Sequence, residues 1–356
     1  MGKPTKISRC PRAQSTAALK AAKDSVSVKP TTVRRRRQHH SKDPMEEKTQ
    51  SSSVPVIDMK DPRDLPDKIV KACEDWGCFR VSNHGIPTEL LSEMKGLARY
   101  FLDLPTKIKK RNASWKPGQR LQYTLPYNVT PYFQSLRIDD MIFPGALDDF
   151  CDRINASPHQ RETLVRYPQA LYGAAIEICE KIMQGYGLLG RGEKTSKDWV
   201  CDLQLNKYNF SQQSLGSTGA IEHSDPGFFT LLQDDELVNG LEVMNKFTGE
   251  WVPVDPIPGT LVVLVGDTGM VWSNGRFCNV KHRVQCNKPM TRVSLATFVL
   301  VTRDKIVRTP EELIDSKHPR LYKEFFYYED YKHLRLSSSP TAEALEHFKV
   351  DSTTDD

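Results

Sequence analysis

The 356-residue chain contains no apolar run of the roughly 18 residues that a membrane-spanning helix needs. Its most hydrophobic stretch, Leu261-Val262-Val263-Leu264-Val265, is far too short and reads as a buried strand. No Cys-x-x-Cys pair occurs among its eight cysteines, Cys10, Cys73, Cys78, Cys151, Cys179, Cys201, Cys278 and Cys286. That argues against a zinc knuckle or a dithiol redox motif and for buried, reduced thiols in a reducing compartment. There is no internal repeat, so a solenoid or propeller is not expected. The body also lacks a basic excess. The net charge is +5, but residues 1–50 hold 13 Lys/Arg against 4 Asp/Glu, leaving 37 against 41 for the rest. A mildly acidic body gives no reason to expect a nucleic-acid footprint.

The tail is of a different kind. Residues 1–50 are rich in Lys, Arg, Ser, Thr and Pro, with almost no aromatic or periodic apolar residues, and read as a disordered basic extension. Arg34-Arg35-Arg36-Arg37 resembles a nuclear or polyanion-binding patch. The acid-poor, Arg- and Ser-rich start also fits an organelle transit peptide. A third reading is a non-functional extension translated upstream of a start at Met45. Lys6 stands where a myristoylation signal needs Ser or Thr. A cytoplasmic location is the expectation for the body, and a monomer is the default.

The body divides by pattern. Residues 54–190 read as a mixed, largely helical region. Val54 to Asp58 and Cys78 to Ser82 are short strands, with helices over Asp61–Trp76 and from Pro87 to about Leu102. Residues 105–150 read as irregular, and a helix is expected over Pro158–Tyr186, kinked or broken at Pro168. Residues 200–305 change to short β-branched runs separated by Gly, Pro, Asn and Asp. This is the signature of an antiparallel sandwich or jelly roll. Residues 306–356 return to helical and polar character and end in a tail expected to fray.

The chemistry sits in the β-rich part. His223-Ser224-Asp225 puts an imidazole and a carboxylate at i and i+2, on one face of a strand. His282 must come from another strand. Two histidines and one carboxylate suit a non-haem Fe(II) centre with positions left open. Arg292-Val293-Ser294 repeats the i, i+2 spacing with a guanidinium that can grip a carboxylate by two parallel hydrogen bonds and a hydroxyl that adds a third. Asn206 and Tyr208 share a third strand face and suit the metal-bound end of the same small molecule. Each piece alone is weak. Their order along one chain is specific.

That order resembles the plant-type 2-oxoglutarate/Fe(II)-dependent dioxygenases over residues 54 to about 335. The resemblance extends through Val54-Pro-Val-Ile-Asp58, Trp76-Gly-Cys-Phe79, Asn83-His-Gly85, Thr230-Leu-Leu-Gln-Asp234, Gly240-Leu-Glu242, Pro258-Gly-Thr260 and Gly266-Asp267. It implies a mainly β fold with flanking helices around a double-stranded β-helix (jelly roll) core. It implies Fe(II) on His223, Asp225 and His282, and 2-oxoglutarate on Arg292, Ser294, Tyr208 and Asn206. O2 is the other co-substrate, and ascorbate is a candidate reductant. Asn206-Lys-Tyr-Asn-Phe210 departs from the gibberellin-oxidising pattern. Phe150 to Ser157, Gln160-Arg-Glu162, Trp272 to Arg276 and Cys278 to Cys286 are similar to the dioxygenases for auxin oxidation. Indole-3-acetic acid, converted to 2-oxindole-3-acetic acid, is therefore the substrate the resemblance implies.

For an indole, Tyr127, Tyr132, Phe133, Phe228 and Phe298 are the aromatic candidates for the pocket. Each can equally be a core aromatic. Lys207 and Arg120 are the cations to consider for a substrate carboxylate. Two other readings stay open: the same chemistry on a gibberellin or phenolic, and a catalytically silent jelly roll that binds a ligand.

Overall fold

Strand β1 (Val56–Asp58) pairs in parallel with β2 (Cys78–Ser82), and helix α1 (Leu65–Asp75) links them. The computed structural model describes residues 53–112, 123–125, 130–190, 199–302, 304–337 and 342–350. The basic extension, Arg120, Tyr127 and residues 351–356 lie outside the described residues. Leu65, Ile69, Ala72 and Cys73 form the buried stripe of α1, with Pro66 in its first turn. Helix α2 (Thr88–Asp103) follows, then the short α3 (Thr106–Lys109).

The stretch read as irregular contains regular structure. Strands β3 (Tyr123–Thr124) and β4 (Phe133–Ile138) and helix α4 (Ala146–Ile154) lie within it. Every residue of β4 is buried, including the polar Gln134, Ser135 and Arg137, so its short Ser-Leu-Arg-Ile alternation does not mark a half-exposed strand. Helix α5 (Pro158–Gly185) opens on a reciprocal cap, in which Gln160 N–H donates to Ser157 Oγ and Ser157 N–H to Gln160 Oε1. It runs unbroken through Pro168. The missing hydrogen bond costs about 3 kcal/mol. A long buried face that includes Leu164, Tyr167, Leu171, Ala175, Ile178 and Ile182 offsets it, each large apolar side chain contributing roughly 1.5–3 kcal/mol.

The remaining strands are β5 (Trp199–Tyr208), β6 (Thr218–His223), β7 (Phe229–Gln233), β8 (Leu241–Met244), β9 (Trp251–Pro253), β10 (Leu261–Val265), β11 (His282–Gln285) and β12 (Arg292–Thr302). A short helix α6 (Asp267–Trp272) precedes β11. Eight strands form the major sheet in the order β1-β2-β10-β7-β12-β5-β4-β3, and four form the minor sheet in the order β6-β11-β8-β9. Strands from the first half of the body thus pair with strands from the second. The chain closes with the β13 (Ile306–Val307) and β14 (Phe325–Phe326) pair and helix α7 (Lys332–Ser337).

The two faces of the major sheet bury different cores. Val293, Leu295 and Val299 point to the side packed by α1, α2 and α5. Ala296, Phe298 and Leu300 point the other way, against Leu241 and Val243 of the minor sheet. The result is a mainly β jelly roll with flanking helices, and the inner face between its sheets carries the site. No helix among the described residues is long and apolar enough to cross a membrane.

Candidate active site

His223 is the last residue of β6 and His282 the first of β11, and the two are direct cross-strand partners. Their ring centroids are 4.2 Å apart. Asp225 lies beyond the end of β6, so strand alternation is not what aims it. The turn after His223 carries the carboxylate back toward both imidazoles, with His223 Nε2 3.8 Å from Asp225 Oδ1 and His282 Nε2 3.8 Å from Asp225 Oδ2. One ligand atom from each residue lies within 4.8 Å of the others, close enough for a single ion to replace the gaps between them.

The ring orientations fit a metal. His223 Nδ1 lies 2.7 Å from the Ile221 carbonyl and His282 Nδ1 3.2 Å from that of Val280. A carbonyl only accepts, so each Nδ1 carries the proton and each Nε2 presents a lone pair inward. Asp225 is held as well. Thr230 Oγ1 donates to its Oδ2 at 2.6 Å, and Asp267 N–H donates to its backbone carbonyl at 2.8 Å. Such partners fix the orientation of groups that could ligate an ion. Gly266 permits the close approach of the β10–α6 turn, because a Cβ there would lie 2.2 Å from the Gly227 carbonyl oxygen.

A second layer braces this turn from the end of the chain. Arg335 donates to Asp267 Oδ2 and to the Ser224 carbonyl, and Tyr331 Oη donates to the same Asp267 oxygen. Asn279 Nδ2 donates to Asp267 Oδ1 at 2.9 Å. Thr230 and Asp267 belong to stretches that carried the family resemblance, but nothing in their spacing announced these contacts. The available signal for Thr230 was a lone hydroxyl within the apolar run Phe228-Phe229-Thr230-Leu231-Leu232.

The other polar pairs meet on the inner face of the major sheet. Register sets Arg292 opposite Tyr208 and Ser294 opposite Asn206. Arg292 is almost wholly buried, its Nη1 donates to Ser294 Oγ at 3.1 Å, and its guanidinium stands 5.4 Å from the Tyr208 ring centroid. Its Nε is buried with no hydrogen-bond partner among the described residues. A buried guanidinium with an unmet donor and, among the described residues, no carboxylate in ion-pair contact is costly. The distal carboxylate of a dicarboxylic acid would satisfy it. Asp235 fixes the start of the strand, accepting from Val293 N–H at 2.9 Å and from Arg99 at 2.8 Å. Burial pushes the Tyr208 hydroxyl above its usual pKa, partly opposed by Arg292, so it remains a donor at neutral pH.

The aromatic residues divide. Tyr132 and Phe133 pack with Tyr208 and Phe210 beside Val284 and Cys286, and the Phe133 and Tyr208 rings are 5.2 Å apart. Phe298 lies on the inner face opposite Thr230, under the Arg137 guanidinium at 5.2 Å. Phe228 goes elsewhere. It packs with Trp199, Trp272 and Phe277 in the core on the helix side of the sheet. Lys207 alternates to that side too and pairs with Asp103.

Residues 199–300 match the 2OG-Fe(II) oxygenase superfamily, and residues 54–155 match the N-terminal region named for the non-haem dioxygenase in morphine synthesis. The 2-oxoglutarate-dependent dioxygenase DAO of Oryza sativa subsp. indica is 46% identical over 275 residues, 77% of this chain and 90% of the relative. The crystal structure of dioxygenase for auxin oxidation in rice superimposes with a TM-score of 0.76 at 42% identity, covering 84% of this chain and 100% of that one. The 2-oxoglutarate complex of dioxygenase for auxin oxidation 1 from Arabidopsis thaliana gives a TM-score of 0.71 at 41% identity, covering 75% and 100%. This chain belongs to the 2OG-Fe(II) oxygenase superfamily and is a dioxygenase that works with Fe(II), 2-oxoglutarate and O2.

Proposed function

We propose that this enzyme oxidises auxin, converting indole-3-acetic acid to 2-oxindole-3-acetic acid while 2-oxoglutarate is converted to succinate and CO2. One oxygen atom of O2 enters the indole ring and the other enters succinate. The substrate reading rests on the 46% identity to the rice relative, whose family the inner-face geometry fits. Residues 200–305 carry the chemistry in this reading, with 54–190 and 306–356 as its support.

His223, Asp225 and His282 would hold the iron with two imidazoles and one carboxylate. Arg292 would neutralise the far carboxylate of 2-oxoglutarate and Ser294 would add a hydrogen bond; Tyr208, expected at the metal-bound end with Asn206, stands opposite Arg292 in the register and is assigned to the far carboxylate instead. The unmet Nε of Arg292 is the single observation that supports this most directly. Asn206 donates to the metal-bound end. Bound iron and co-substrate supply the oxidising power, and the chain positions the substrate and keeps water out. Tyr132, Phe133 and Phe298 offer ring faces for an indole.

Anaerobic titration with Fe(II) and then 2-oxoglutarate, followed by visible absorbance, tests the site. Addition of O2 and indole-3-acetic acid with product mass spectrometry tests the substrate. The expected result is a weak charge-transfer band and an acid heavier by one oxygen, both lost in His223→Ala. A band with the acid untouched would reject the substrate and keep the iron site. Well-folded protein with no band would reject the site.

A further inference from the structure

An asparagine facing an anionic ligand helps only if its amide donates. Turned round, its Oδ1 would meet a carboxylate oxygen. The side chains behind Asn206 decide which end faces the ligand. Asp139 accepts from Arg137 Nε at 3.0 Å, and Asp202 accepts from Arg137 Nη2. Arg137 Nη1 then donates to Gln204 Oε1 at 3.3 Å, and Gln204 Nε2 donates to Asn206 Oδ1 at 2.7 Å. Register places these groups on one inner face, with Arg137 opposite Gln204 and Asn206 opposite Ser294.

The polarity of this row does not depend on how either amide is drawn. A guanidinium has donors only, so Gln204 must turn its oxygen to Arg137 and its nitrogen to Asn206. Asn206 must then accept with Oδ1, which leaves Nδ2 for the site. That Nδ2 has no hydrogen-bond partner among the described residues. The anchor is secure. Burial would lower the pKa of Arg137, but Asp202 and then Asp139 raise it above its ordinary value. The Phe298 ring covers one face of its guanidinium.

We propose that Arg137 and Gln204 are positioning residues that set the polarity of Asn206 and thereby the affinity for 2-oxoglutarate. The proposal rests on the reading that Asn206 contacts the co-substrate. It is tested by calorimetric titration of 2-oxoglutarate into the full chain loaded with Mn(II), where no turnover occurs. Gln204→Glu keeps the size but offers only acceptors. Arg137 stays satisfied, while Asn206 must donate to the new carboxylate and present Oδ1 to the ligand. Affinity should fall about tenfold, as it should in Asn206→Leu. The double variant Gln204→Glu/Asn206→Leu should bind no worse than Asn206→Leu alone, because the glutamate acts through the asparagine. Gln204→Met, which releases Asn206 without reversing it, should cost roughly twofold to fivefold and serves if the glutamate variant fails to fold. Parental affinity in Gln204→Glu, or in Gln204→Met should that variant serve, would overturn the relay. So would a full further loss from Gln204→Glu in the Asn206→Leu background, where no amide remains to be turned. Parental affinity in Asn206→Leu would instead reject the Asn206 contact itself, and the relay with it.

Discussion

Arg292 is a buried positive charge that donates to a neutral serine, and among the described residues its Nε has no partner. Such a group is poor for stability and useful for binding, and active sites hold groups of that kind because the rest of the fold sustains them. Even a buried ion pair can often be replaced by apolar side chains of similar volume at no loss or with a gain of about 1–4 kcal/mol, and a charge without an ion partner has less to lose. Arg292→Met should therefore leave the metal-free, ligand-free protein as resistant to urea as the parent, or more so. The same variant should bind 2-oxoglutarate about a hundredfold more weakly, since it loses a charge-assisted pair. Urea unfolding and calorimetry on one preparation measure both. A destabilised variant with unimpaired binding would make Arg292 a structural residue.

Among the elements, α7 and the β2–α2 turn have effects that reach beyond their own segments. Arg335 on α7 reaches the Ser224 carbonyl and the fully buried Asp267. Arg335→Met would leave Asp267 to Tyr331 and Asn279 alone. An uncompensated buried charge costs about 3–5 kcal/mol. The expected outcome is a lower urea midpoint together with weaker Fe(II) binding, read by titration of the metal. Parental values for both would show that α7 does not brace the metal loop. His84 acts at the turn between β2 and α2. Its Nδ1 accepts from Ile86 N–H and its Nε2 lies 3.2 Å from the Gly259 carbonyl, which is the pattern of a neutral imidazole. Burial holds its pKa below the ordinary 6.5. The unfolded chain therefore takes up this proton first as pH falls. The stability involved is fully present above 6.5 and is lost as pH falls from there through the depressed folded value. Urea midpoints between pH 7 and pH 5 should drop for the parent and drop less for His84→Gln. Equal slopes would remove His84 from the acid response.

At the scale of the whole molecule, Gln50–Asp356 forms one compact unit that holds every group of the site. A chain beginning at Gln50 should keep parental affinities for Fe(II) and 2-oxoglutarate. A severalfold loss in calorimetry would give residues 1–49 a part in the site.

Much of that site was legible in the residues themselves. Two imidazoles, a carboxylate, a guanidinium and a hydroxyl are chemical identities, and an i, i+2 spacing is a covalent property of the chain. Arg292 with Ser294 and Asn206 with Tyr208 could therefore be paired before any fold was known. The jelly roll followed from short β-branched runs and from resemblance. The rest depends on contacts between residues far apart. Strand β4 is buried on both sides although three of its six residues, Gln134, Ser135 and Arg137, are polar, so its residues alone suggest an exposed segment. Helix α5 passes Pro168 because the core on its buried face outweighs one lost hydrogen bond. Phe228 turns to the helix side of the sheet, and Asp225 is aimed by a turn instead of a strand. Register alone brings Asn206 beside Ser294, and packing alone brings Arg335 to the carbonyl of a residue 111 positions earlier. Which chemistry this protein carries was written in its residue identities. How those groups are held was settled by long-range packing, because orientation is a property of neighbours that the chain brings together only on folding.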